Sequence, residues 1–232
     1  ENVRELEKAW KHLRRTINSS LVEGNHVSVK MHTNLLVLVF NAWAEANFSK
    51  LIHTPHGFEL DEIQQIKVAA KQNIVDGWKK CLELGLRHVD SNSRSNYLPN
   101  TRQKVEKIID CYVQEPRGLR NKIAHGQWKI GLNRENTSTN LDSTTKLMNV
   151  NVVTIEIWKR AYTILSNIIE VLIESPDRAF HRNYWIEIEN LQETLRETEK
   201  WNIETKIQRL KEKRSRHQVG PSNGLSSLPQ LP

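Results

Sequence analysis

Between Leu119 and Trp128 the chain reads Leu-Arg-Asn-Lys-Ile-Ala-His-Gly-Gln-Trp, and Arg120, Asn121 and His125 have the types and spacing to do chemistry. On a helix, Asn121 and His125 stack four apart, while Arg120 lies one step round with a side chain long enough to reach the same place. A cation, an amide and an imidazole held together suit the transesterification of RNA. That reaction needs a base for the ribose 2′-OH proton, an acid for the leaving 5′-oxygen and positive charge against the crowded phosphorane. Imidazoles exchange protons near neutral pH, so His125 can serve as base or as acid. Arg120 can grip the phosphate oxygens with its fork of N–H donors and hold charge that grows in the transition state. Asn121 can orient the imidazole or the phosphate. This chemistry asks for no metal ion and no cofactor, and none is expected.

The spacing alone says little. Sixteen arginines and nine histidines in 232 residues give about 0.6 chance Arg-x4-His pairs at any one offset. The surroundings say more. Leu119 and Ile123 can anchor one face of a short helix, Pro116 fits the first turn of that helix, and Gly126 fits its left-handed end. A second reading stays open at this point: a histidine before glycine in the last turn of a helix also fits ordinary C-terminal capping, favoured by the helix dipole.

The elements that must position these residues are helical. Val3, Leu6, Trp10, Leu13 and Ile17 predict a one-faced helix over Glu1 to Asn18, and the polar stretch Ser19 to Ser28 breaks it. A helix from about Thr33 to His53 is apolar almost all round and is the expected central buried helix. Its longest apolar run, Leu35 to Phe40, is far shorter than the roughly 18 to 20 residues that cross a bilayer. Thr54 to Gly57 is a loop; a third helix is expected over about Leu60 to Leu86, and Ser91 to Asn100 is a second loop. Thr101 is expected to cap the next helix, which Pro116 ends or kinks. Alternation at Trp128, Ile130, Leu132 and at Lys146, Met148, Val150 predicts a small β-hairpin flap. Ile155 to Ile173 is helical and stopped by Pro176, and a last helix runs from about Arg178 to Leu210. The expectation is an all-α fold: one helical domain over residues 1–210, then a basic, Gly/Ser/Pro-containing disordered tail over 211–232.

Composition narrows the classes. A net charge of +7 and a pI near 9.4 favour a polyanionic partner. Cys81 and Cys111 form no Cys-x-x-Cys pair, and the charged N-terminus is unlike a signal peptide, so a cytoplasmic protein without membrane attachment is expected. No Walker loop, Gly-x-Gly-x-x-Gly or Gly-x-Ser-x-Gly is present, which leaves nucleotide hydrolysis, dinucleotide chemistry and serine hydrolysis without support.

Arg120-Asn121-x3-His125-Gly126, following a charged, Pro-containing turn, resembles the signature of the HEPN superfamily: an Arg, a polar residue that is often Asn, and a His four to six positions on. The likeness covers roughly residues 30–175, with about ten residues carrying its specific part. It implies a HEPN-like helical bundle with Arg120, Asn121 and His125 catalytic. The implied activity is metal-independent endoribonuclease cleavage of single-stranded RNA or tRNA loops, leaving a 2′,3′-cyclic phosphate and a 5′-OH. It further implies a homodimer, and a role as toxin or effector in antiviral defence, abortive infection or a toxin–antitoxin system, with an antitoxin or other defence subunit as partner. The alternative is a non-catalytic HEPN-like module that binds nucleic acid or nucleotide, or assembles a larger complex.

Between Gly24 and Phe58 the one acidic residue is Glu45, in the middle of the most apolar helix. A carboxylate there is expected to be buried and paired with Arg120, because an unpaired buried charge is costly; an ion pair with another base such as Lys50, or a place at an exposed seam, is the other reading. Asn41, one turn earlier, shares its face, and HEPN domains often place a polar or acidic residue at such a position. Lys122, Trp128 and Arg117 are candidate RNA contacts, Trp128 by stacking on a base, with core packing as the leading reading of that ring. Trp10, Trp43, Trp78 and Trp158 read as core, and His53-x2-His56 as a helix-end pair without the other ligands of a metal site. The basic run from Arg209 to Arg216 reads as solvated, with RNA backbone or an acidic partner as its functional alternative.

Overall fold

The apolar steps from Val3 to Ile17 build a helix that runs further than their spacing predicts. The computed structural model describes residues 1–87, 97–174 and 180–218, and its α1 spans Asn2–Glu23. Gly24 ends α1 in the left-handed region, φ 72°, which costs glycine nothing because it has no Cβ. Asn25 then starts α2, His26–Ile52, by accepting the Ser28 N–H at 3.0 Å. Of the polar stretch that interrupts the apolar pattern, only Gly24 and Asn25 form the tight turn; the rest continues α1 or opens α2.

α2 is the central helix, as its composition predicts: Leu36, Val37, Phe40, Trp43, Phe48, Leu51 and Ile52 are all buried. By length and composition alone it could cross a membrane; here α1 packs along one side of it and α8, Val152–Glu174, along another. The Tyr162 hydroxyl donates to the Ala44 carbonyl at 2.5 Å, and Asn47 Nδ2 donates to Ser166 Oγ at 3.0 Å. Trp10, Trp43, Trp78 and Trp158 meet Phe40, Phe48 and Tyr162 in one aromatic cluster, with centroids 5.0 to 6.4 Å apart.

The third predicted helix is two, α3 (Leu60–Gln72) and α4 (Ile74–Arg87). Asn73 breaks it at φ −154°, ψ 129°. Its side-chain oxygen accepts the Val75 N–H at 3.2 Å and a guanidinium N–H of Arg117, partners that no mid-helix side chain would have. The apolar spacing survives the break because both helices face the same core. α5 (Tyr97–Ile109) begins before Thr101, so Thr101 is a buried interior residue and not a cap. α5 continues through a π-helical turn, Asp110–Gln114, into α6, Glu115–Ala124. Pro116 sits in the first turn of α6, and the wider π turn before it accommodates a ring that lacks an N–H and crowds the preceding carbonyl.

The expected hairpin flap is not formed. Among the described residues its region holds a single bridge, Leu132 to Thr139, followed by α7, Leu141–Asn149. Asn140 caps α7 by accepting the Ser143 N–H at 2.8 Å, so Lys146 and Met148 lie on a helix and Leu147 between them is buried. The last predicted helix is also two, α9 (Phe180–Thr198) and α10 (Ile203–Gln218), with Asn202 accepting the Thr205 N–H at 2.7 Å at the restart. α10 takes in residues 211–218 of the expected tail. Residues 219–232, Pro176 and most of the predicted Ser91–Asn100 loop lie outside the described residues.

Candidate active site

α6 carries the segment from Arg120 to Ala124, and His125 is its C-terminal cap. Leu119 and Ile123 are buried, which fixes the face of α6 that meets the core, while Asn121 and His125 are exposed. The end of the helix closes on glycine: Gly126, at φ 79°, donates its N–H to the Ile123 carbonyl at 3.0 Å, and the Gln127 N–H reaches the Lys122 carbonyl at 2.9 Å. The backbone therefore supplies the cap. The His125 imidazole makes no hydrogen bond or ion pair with the described residues and stands in solvent.

Arg120 is held from two sides. Its Nη2 lies 3.1 Å from Glu45 Oε1 on α2, and its Nη1 donates to Asn121 Oδ1 at 3.0 Å. The expected pairing with Glu45 is present, but the expected burial is not: the Glu45 side chain is 56% exposed and that of Arg120 38%. Glu45 lies on the seam between α2 and α6, where a carboxylate keeps its water. An ion pair this open contributes only about 0–1 kcal/mol to stability. Its physical effect is to orient a guanidinium that would otherwise sweep through solvent.

Asn41 does not face Arg120. It is buried, and its Nδ2 donates to the Val37 carbonyl at 2.8 Å and to the Pro116 carbonyl at 3.3 Å, so it fastens the first turn of α6 to α2. Asn34, which the sequence reading missed, is fully buried, and its Nδ2 donates to the Trp128 carbonyl at 3.4 Å. Asn34, Asn41 and Glu45 thus hold the motif segment to α2 at three points. Their spacing of seven and four puts them on one face, and three polar residues along one stripe of an otherwise apolar helix is the signal that would have found Asn34.

Trp128 is neither core nor free platform. Its Nε1 donates to the Ile123 carbonyl at 3.1 Å, which satisfies the end of the motif helix, and the ring stays 36% exposed. Arg117 and Lys122, expected as RNA contacts, are engaged within the chain: Arg117 on Asn73, and Lys122 on the Leu132 carbonyl, where it ties down the loop after the motif. His53 caps α2 and bonds the Ser49 carbonyl through Nδ1 at 2.7 Å, and His56 lies in the following loop at φ 60°. Among the described residues no three His, Cys, Asp or Glu side chains are grouped to share a metal ion. No family model, no curated protein and no solved structure matches the chain.

Proposed function

We propose that the chain is a HEPN-type endoribonuclease that cleaves single-stranded RNA, or the loops of tRNA, without a metal ion. The observation that carries the proposal is the fixed guanidinium of Arg120, between Glu45 and Asn121, one helical turn before an exposed and unengaged imidazole. A histidine serving only to cap α6 would spend its side chain on the last carbonyls; here Gly126, Gln127 and Trp128 occupy those carbonyls.

In the proposed reaction Arg120 takes two phosphate oxygens and Asn121 aligns the phosphate or the imidazole. His125 removes the 2′-OH proton, the 2′-oxygen attacks phosphorus, and the P–O5′ bond breaks. The O5′ leaves with a proton, giving a 2′,3′-cyclic phosphate and a 5′-OH end. Among the described residues one imidazole stands at the site, and a second copy is the proposed source of the second proton-transfer group. The proposed setting is cytoplasmic, as a toxin or effector of antiviral defence. The test is chemical: fragments made by the wild-type chain should accept a 5′-phosphate from polynucleotide kinase directly, and fragments carrying a 5′-phosphate already would overturn the mechanism. RNA binding with no new ends would favour the non-catalytic alternative.

A further inference from the structure

Away from α6, a group of cationic residues lines two adjoining hollows. α10 packs against α1 and α8; a concavity of about 630 Å³ opens between α1, α8 and the end of α9, and an adjoining one of about 320 Å³ between α8 and α10, the two sharing Glu156 and Trp201. Their carboxylates are already committed. Glu7 holds Lys159 at 2.6 Å, and Glu156 holds Lys206 at 2.7 Å with Arg14 at 3.8 Å. Lys11, Lys200, Arg209 and Lys213 line the same surface, are exposed, and have no ion-pair partner among the described residues. Lys206, Arg209 and Lys213 follow one another at steps of three and four, so they form a single row along α10.

Where the two concavities meet, the loop between α9 and α10 presents Trp201, 37% exposed, with the Arg160 guanidinium 5.5 Å from its ring centroid. A row of cations, two of them (Arg209 and Lys213) without an ion-pair partner among the described residues, beside a partly open indole is the combination that holds phosphates and stacks a base. An acidic polypeptide would use the cations but gain little from the ring. We infer that the groove between α1, α8 and α10 is a binding track for single-stranded nucleic acid, with Trp201 as its stacking platform.

The track is separate from the Arg120–His125 segment and does not depend on the function proposed for it. Trp43, whose ring lies 4.3 Å from Lys159 Nζ beside the groove, and Glu45, which holds Arg120, are two residues apart on α2. That is about 200° of rotation, so the two surfaces lie on opposite sides of the central helix.

The experiment is a salt titration of fluorescein-labelled oligouridine binding, read by anisotropy, in the full chain carrying His125→Ala so that the probe stays intact. Replacing Lys11, Arg209 and Lys213 together by Gln should lower the slope of log K against log salt by about two. Trp201→Ala should weaken binding about tenfold and leave that slope unchanged. The three glutamines are all at exposed positions, and an unchanged melting temperature verifies the fold. The inference is overturned if the parent chain does not bind the oligomer, if the triple variant keeps the parental slope, or if polyglutamate displaces the oligomer at equal charge.

Discussion

Arg120 takes its place from two acceptors of different kinds, a carboxylate on α2 and an amide on its own helix. Glu45→Gln keeps an oxygen at the same position but removes the charge that orients the fork. The melting temperature should hardly move, since an exposed pair is worth about 0–1 kcal/mol. RNA cleavage should fall about tenfold, because the guanidinium then samples orientations that do not reach the phosphate. An unchanged rate would remove Glu45 from the site. Arg120→Lys keeps the charge and loses the two-pronged grip, so it should behave much more like Arg120→Ala than like the wild type in a cleavage assay.

Among the elements, α2 and α6 are a pair whose junction is polar by design of the sequence. Asn41→Ala removes the two hydrogen bonds by which its buried amide ties the first turn of α6 to α2 and should cost about 1–3 kcal/mol in denaturant unfolding. Gly77 marks the crossing of α3 and α4: a Cβ there would lie 2.6 Å from Ala70 Cβ, so Gly77→Ala should cost about 1–3 kcal/mol by overpacking. On α4, Lys80 hydrogen-bonds Glu83 and Arg87 pairs with it from the next turn, and together they hold its carboxyl below the usual range. A folded value below the unfolded one adds stability above about pH 4.3, and that stability is lost as pH falls through the folded value. Glu83→Gln should therefore lower the melting temperature at neutral pH and make no difference at pH low enough to protonate the carboxyl.

Helix type and helix faces were legible in the sequence at this scale because apolar spacing reports burial directly: α1, α2, α8 and the buried Leu119 and Ile123 all follow it. Helix ends were not. Asn73, Asn140 and Asn202 each start a helix through a side-chain bond, an interaction that periodicity does not register. The second half of the hairpin expectation failed for a related reason: alternation over Lys146, Met148 and Val150 also fits one turn of helix, and the cap at Asn140 decides between them, which leaves Trp128 to Leu132 without a strand to pair with. At the site, the Arg120–Glu45 contact was legible as the pairing of an isolated carboxylate. The sequence leaves its exposure open between a buried and a seam position, because a position on an apolar helix does not say which edge of that helix meets another.

On the scale of the whole molecule the chain is a bundle around α2, with the Arg120–His125 surface on one side and the cationic groove on the other. With one imidazole at the site among the described residues, a cleavage reaction that takes its acid and its base from two copies should depend on association, and the rate per chain should drop on dilution. The most direct test of the central claim is incubation of the wild-type chain and of His125→Ala with total RNA in EDTA. The wild type is predicted to cleave and the folded variant to leave the RNA intact. Equal cleavage by both, or cleavage by the wild type that stops in EDTA, would contradict it.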